Sequence, residues 1–111
     1  MFADTSTARR GEKPRPVNGF VPDVLAITVP QSFTIIGEAK SYADLDTVHS
    51  RFQVRAFLDF LKYSPDPRFM LAVPASAHAS AFSLLRTLKH QVGADRVPTE
   101  IITPATWLGR R

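Results

Sequence analysis

Two stretches near the start of the chain are apolar without helical spacing: Val-Leu-Ala-Ile-Thr-Val at 24–29 and Phe-Thr-Ile-Ile-Gly at 33–37, separated by Pro30, Gln31 and Ser32. Short β-branched runs bounded by turn residues predict a hairpin, with Pro30 at the second position of a type I turn. Residues 46–63 lack Gly and Pro, begin beside Asp44 and Asp46, carry Lys62 near their end and stop before Pro65, which predicts the main helix. A third strand is expected at 68–73 and a second helix from a Ser76 cap to about Gln91, closed by Gly93. A fourth strand is expected at 99–103. The order β-β-α-β-α-β predicts an α/β domain over residues 20–104, with a mixed β-sheet of about four strands and two helices.

On a helical wheel, Phe52, Ala56, Phe57, Phe60 and Leu61 form an apolar arc on the first helix, opposite Arg51, Arg55, Asp59 and Lys62. Gln53 falls inside that arc and needs polar partners there. His49, one turn earlier, leans the same way, although an isolated histidine is more often a packing or surface residue. Phe82, Leu85 and Leu88 set the inner face of the second helix, with Arg86 and Lys89 outside.

A length of 111 residues allows one small domain, and the 44% hydrophobic and 22% charged fractions are those of a globular chain. No cysteine is present, which excludes disulfides, thiolate zinc sites and thiol nucleophiles. Met1 to Thr5 do not open a secretory signal, and a cytoplasmic location is the expectation. The formal charge of +4 resides in the tails. Residues 1–15 hold Arg9, Arg10, Lys13 and Arg15 against Asp4 and Glu12, Arg110 and Arg111 end the chain, and residues 16–109 balance to zero. Residues 1–19 read as a flexible basic arm and 105–111 as a tail carrying Trp107. Such arms either hold a polyanion such as DNA in a salt-dependent way or simply favour solubility.

The ends of the hairpin carry the candidate chemistry. With the turn centred between Pro30 and Gln31, the residue numbers of cross-strand partners add to 61, which sets Asp23 opposite Glu38. Alternation then puts Lys40 on the same face. Two carboxylates this close repel unless a cation sits between them, and Mg²⁺ or Mn²⁺ suits such hard oxygen ligands. Lys40 could then serve a metal-polarised water or a phosphate under attack. The alternative is an ordinary ion pair of Lys40 with Asp23 or Glu38 at an exposed strand end.

Pro22-Asp23, fourteen intervening residues, and then Glu38-Ala39-Lys40 resemble the signature of the PD-(D/E)xK nuclease superfamily. Ile36-Gly37-Glu38-Ala39-Lys40-Ser41 followed by a helix is similar to the Holliday-junction-resolvase-like arrangement in particular. The resemblance implies a restriction-endonuclease-like core and metal-dependent DNA phosphodiester hydrolysis. It implies Asp23, Glu38 and the Ala39 carbonyl as metal ligands, and Lys40 on the water or phosphate. It likewise implies a supporting role for Gln53, which resembles a glutamine some members carry on the next helix. Arg9, Arg10, Lys13 and Arg15 would hold phosphate backbone.

The chain departs from the family pattern in one respect. Many members place an acidic residue on a helix before the Pro-Asp strand, whereas only Asp4 and Glu12 precede it here, in the expected arm. The expectation is therefore a site of two carboxylates and water, a site completed by a partner chain, or an inactive nucleic-acid-binding or assembly module. A sheet lacking that helix would have one uncovered face, which a homodimer could cover, with Trp107 contributing. Nothing suggests a nucleotide-binding glycine loop or a serine nucleophile elbow. His78 and His90 are not spaced as a ligand pair.

Overall fold

In a computed structural model of the chain, residues 15–27 and 33–103 are described. The elements are β1 (Val24–Ile27), β2 (Thr34–Ala39), α1 (Val48–Leu61), β3 (Pro67–Ala72), a 3₁₀ turn (Ala75–Ala77), α2 (His78–Gln91) and β4 (Thr99–Ile102). They form the expected α/β domain with a mixed four-stranded sheet and two helices. The strands lie in the order β1-β2-β3-β4. β1 is antiparallel to β2, while β2, β3 and β4 run parallel through α1 and α2 as crossovers.

Alternation sorts the side chains into two faces. Leu25, Ile27, Ile36, Phe69 and Leu71 point into one core cluster with the buried side chains of α1 and α2. Phe57, wholly buried on α1, anchors this layer: its ring lies 6.5 Å from that of Phe69 on the sheet and 6.4 Å from that of Phe20. Glu38 shares the inner face of β2 with Ile36 and lies at the strand's end, where the core meets the site.

The hairpin register is the one expected. Val24 pairs with Gly37 and Ile27 with Thr34, so partner numbers add to 61. The turn at Pro30 lies outside the described residues.

Several local expectations need correction. The folded part begins before Phe20: Val17 is buried, and Asn18 (φ +50°) and Gly19 (φ +88°) turn the chain so that Val17 and Phe20 exchange hydrogen bonds of 2.6 and 3.0 Å. An Asn-Gly pair with both φ values positive is the favoured two-residue hairpin turn, a signal that the arm assignment passed over.

α1 begins at Val48 rather than at Asp46 and is capped by Thr47, whose Oγ1 accepts from the Ser50 amide at 3.0 Å. The inner arc of α1 is Ser50, Gln53, Val54, Phe57, Leu58 and Leu61. Phe52 is instead 56% exposed, with the Arg55 guanidinium 5.0 Å from its ring centre. Gln53 lies inside the arc as expected and meets Lys40, whereas Ser50, whose Oγ donates to the Asp44 carbonyl at 2.6 Å, takes an inner place that an apolar count gives to Phe52.

On α2, Ala81, Leu84, Leu85 and Leu88 are buried while Phe82 is 56% exposed. Ser76 does not cap this helix, which is entered through the 3₁₀ turn from Pro74. Gly93 ends it as expected. With φ +70° it gives its amide to the His90 carbonyl, while the Ala94 amide reaches the Lys89 carbonyl at 2.8 Å.

Candidate metal centre

β1 begins and β2 ends at the same edge of the sheet, so the confirmed register brings Asp23 beside Glu38. Two cross-strand hydrogen bonds fix them. The Asp23 amide donates to Glu38 Oε2 at 2.7 Å, and the Ala39 amide donates to Asp23 Oδ2 at 2.8 Å. Each acidic side chain is therefore held by the backbone of the strand opposite.

Pro22 explains why Asp23 can take this role. Along β2 the backbone groups alternate between neighbours: the amides of Thr34 and Lys40 are bonded toward β3, and that of Ala39 toward β1. Continuing the register sets Pro22 opposite Ala39. Proline has no N–H to give to the Ala39 carbonyl, and the Ala39 amide is taken by the Asp23 side chain. A carbonyl oxygen is left beside two carboxylates, without its ladder donor.

Lys40 follows on the same face as Glu38. Its backbone amide is tied to the Ala72 carbonyl at 2.9 Å, and its Nζ lies 3.7 Å from Glu38 Oε1. The ammonium also donates to Gln53 Oε1 on α1. The Gln53 amide thus holds the lysine head between helix and strand, which accounts for a polar residue in the buried arc of α1.

Glu38 is 5% exposed, and its burial, with the negative charge of Asp23 adding, raises its pKa above the usual carboxylate range. The Asp23 amide and Lys40 oppose the rise without cancelling it. A carboxyl whose pKa is raised by folding stabilises the fold fully below its unfolded value, near 4.5, and that stability is lost as pH rises through the folded value. The stability of the wild type relative to Glu38→Gln, which cannot titrate there, should therefore fall as pH rises from 4.5 toward 8. Urea unfolding of both proteins across that range checks the sign, and a flat difference would contradict the burial effect.

Other candidate residues lie apart from this cluster or outside the described residues. Arg9, Arg10 and Lys13 belong to the latter, and Arg15 is exposed at the start of the described chain. His49 is exposed, with its ring 5.8 Å from that of Phe20 in an edge arrangement, which is a packing contact. Among the described residues, no group of three or more His, Cys, Asp or Glu side chains could hold a metal ion. The carboxylates brought together are those of Asp23 and Glu38, and the register turns the Ala39 backbone toward the same strand. No helix among the described residues is long and apolar enough to cross a membrane.

Comparison with family models, curated proteins and solved structures finds no match. The functional reading therefore stands on residue chemistry and geometry.

Asn18 was missed by the sequence reading. Its Nδ2 donates to the Ala56 carbonyl of α1 at 2.9 Å, clamping the turn that leads into Pro22-Asp23 onto the helix that carries Gln53. The Asn-Gly pair could have signalled the turn, but nothing in the sequence marked its helix partner.

Proposed function

We propose that the chain is a metal-dependent endodeoxyribonuclease of the PD-(D/E)xK type, hydrolysing a DNA phosphodiester with an activated water. The observation that carries this reading is the reciprocal pair of bonds, Asp23 amide to Glu38 and Ala39 amide to Asp23, with the Lys40 ammonium 3.7 Å from Glu38. The donor set fits Mg²⁺ or Mn²⁺: two carboxylates and a backbone carbonyl, all hard oxygens, with room in the shell for water and a phosphate oxygen. Asp23, Glu38 and the Ala39 carbonyl would hold the ion. When bound, it supplies a Lewis acid for the phosphate and a water acidified toward neutral pH.

The protein's own groups do the rest. The Lys40 ammonium, 3.7 Å from Glu38 Oε1, is placed to stabilise charge developing on the phosphate oxygens. Gln53 fixes the direction of that ammonium, so that the lysine need not be ordered at the moment of attack. The pKa of Glu38 is raised first by burial and further by the charge of Asp23, and a cation held between the two carboxylates would offset both effects.

A second reading is supported by the donor count. With only two carboxylates gathered at the site among the described residues, the same fold could bind DNA without cutting it. Supercoiled plasmid incubated with the purified chain and Mg²⁺ or Mn²⁺ distinguishes the two. Nicking that depends on the metal supports the nuclease. Retarded but intact plasmid under both metals favours the binding module.

A further inference from the structure

The turn before Pro22 holds a reactive pair that the metal centre does not use. Asn18 is the one asparagine in the chain, and Gly19 follows it. Both are exposed. Beyond its chain neighbours, no heavy atom lies within 4 Å of where a Cβ on Gly19 would sit, and the Gly19 amide makes no hydrogen bond among the described residues. An unhindered, unpaired glycine nitrogen directly after an asparagine is placed in sequence to attack the side-chain amide. We propose that Asn18 is a site of spontaneous deamidation, gated by the turn that holds it.

The chemistry needs only water. The Gly19 nitrogen bonds to Asn18 Cγ, the Cγ–Nδ2 bond breaks, and ammonia leaves with the proton of the Gly19 amide. Water then opens the resulting succinimide ring at either carbonyl. One opening gives aspartate, and the other gives isoaspartate, with the main chain rerouted through the side-chain carbon.

The fold sets when this can happen. Ring closure needs rotation about the Cα–C bond of Asn18, to bring the Gly19 nitrogen beside the side chain. An Asn-Gly turn with positive φ at both residues points that nitrogen away instead. The two bonds exchanged by Val17 and Phe20 hold this setting, and the bond from Asn18 Nδ2 to the Ala56 carbonyl, 2.9 Å, ties the leaving group to α1. All three bonds lie outside the sheet and the helices, so they can open while those remain paired. At about fivefold per net hydrogen bond, the turn should slow the reaction about 10²-fold relative to an unfolded chain.

Closing the turn does not reverse the change. Aspartate sets a carboxylate oxygen, an acceptor, against the Ala56 carbonyl where a donor had been. Isoaspartate adds a main-chain carbon to a turn whose length fixes its bonds. The converted turn therefore stays detached from α1, in the segment that leads into Pro22 and Asp23. This site stands whether or not the metal centre cleaves DNA.

Incubating the full chain at pH 8 and 37 °C in graded urea, then mapping peptides for aspartate and isoaspartate at residue 18, tests the gate. The initial rate should be constant in urea well below the unfolding transition and about 10²-fold below that of the unfolded chain. A rate that follows the globally unfolded fraction from the lowest urea overturns the proposal, as does a native chain that shows no conversion. Asn18→Asp should melt about 4–8 °C below the wild type, the shift expected for one lost buried-side bond in a domain of this size. An unchanged melting temperature would contradict release of the turn.

Discussion

Lys40→Met is expected to reduce metal-dependent plasmid nicking by about 10²–10³-fold, the usual cost of removing one preorganised electrostatic donor from a reacting centre. Methionine keeps the apolar stem that lines the path from β2 to α1, and the backbone amide of residue 40 keeps its bond to Ala72. The fold should therefore survive, with the near-ultraviolet spectrum unchanged. Lys40→Arg separates two roles for the ammonium. A guanidinium can stabilise phosphate charge but does not give up its proton, so partial activity indicates electrostatic work and complete loss indicates proton handling. Nicking by Lys40→Met at the wild-type rate would remove the lysine from the reaction.

Phe57→Ala is expected to cost about 3–5 kcal/mol, because it empties a fully buried aromatic site that neighbouring rings can only partly refill. Phe57 touches both layers: Phe69 on the sheet and Phe20 in the turn that leads to Asp23. Against a total stability of about 5–15 kcal/mol for a domain of this kind, the variant should be substantially unfolded at 37 °C or nearly so. Phe52→Ala, by contrast, removes a ring that is 56% exposed and should cost less than about 1 kcal/mol. Urea unfolding of the two variants checks the assignment of the α1 faces. Equal costs would mean that the helix is rotated from the arrangement described.

Those two phenylalanines also show what could be read from the sequence and what could not. The strands were legible because β-branched runs between turn residues leave few alternatives. The register followed because a short turn fixes pairing, and Asp23 therefore fell opposite Glu38 as expected. The rotation of α1 was less legible. Gln53 was legible inside the arc and meets Lys40 there, but a wheel weighted by hydrophobicity favours Phe52 over Ser50, whose burial is stabilised by a backbone carbonyl, that of Asp44, which no side-chain pattern names. Val17 and Asn18 were hidden for a related reason. A basic, proline-containing segment reads as an arm, and only tertiary contact with Ala56 shows where it becomes part of the domain. The Ala39 carbonyl entered through a resemblance, and its physical basis, an opposing proline with no N–H, emerged only with the register.

If the oxygens of Asp23, Glu38 and Ala39 form one cation site, the chain takes up one divalent ion there. Calorimetric titration of Mn²⁺ into the full chain at pH 8, beside Asp23→Asn, measures this. The asparagine Oδ1 can still accept from the Ala39 amide, so local geometry is retained while one negative charge is lost. One ion bound per wild-type chain, and affinity at least about tenfold weaker in the variant, is the predicted result. No binding by the wild type, or equal binding by both, would contradict it.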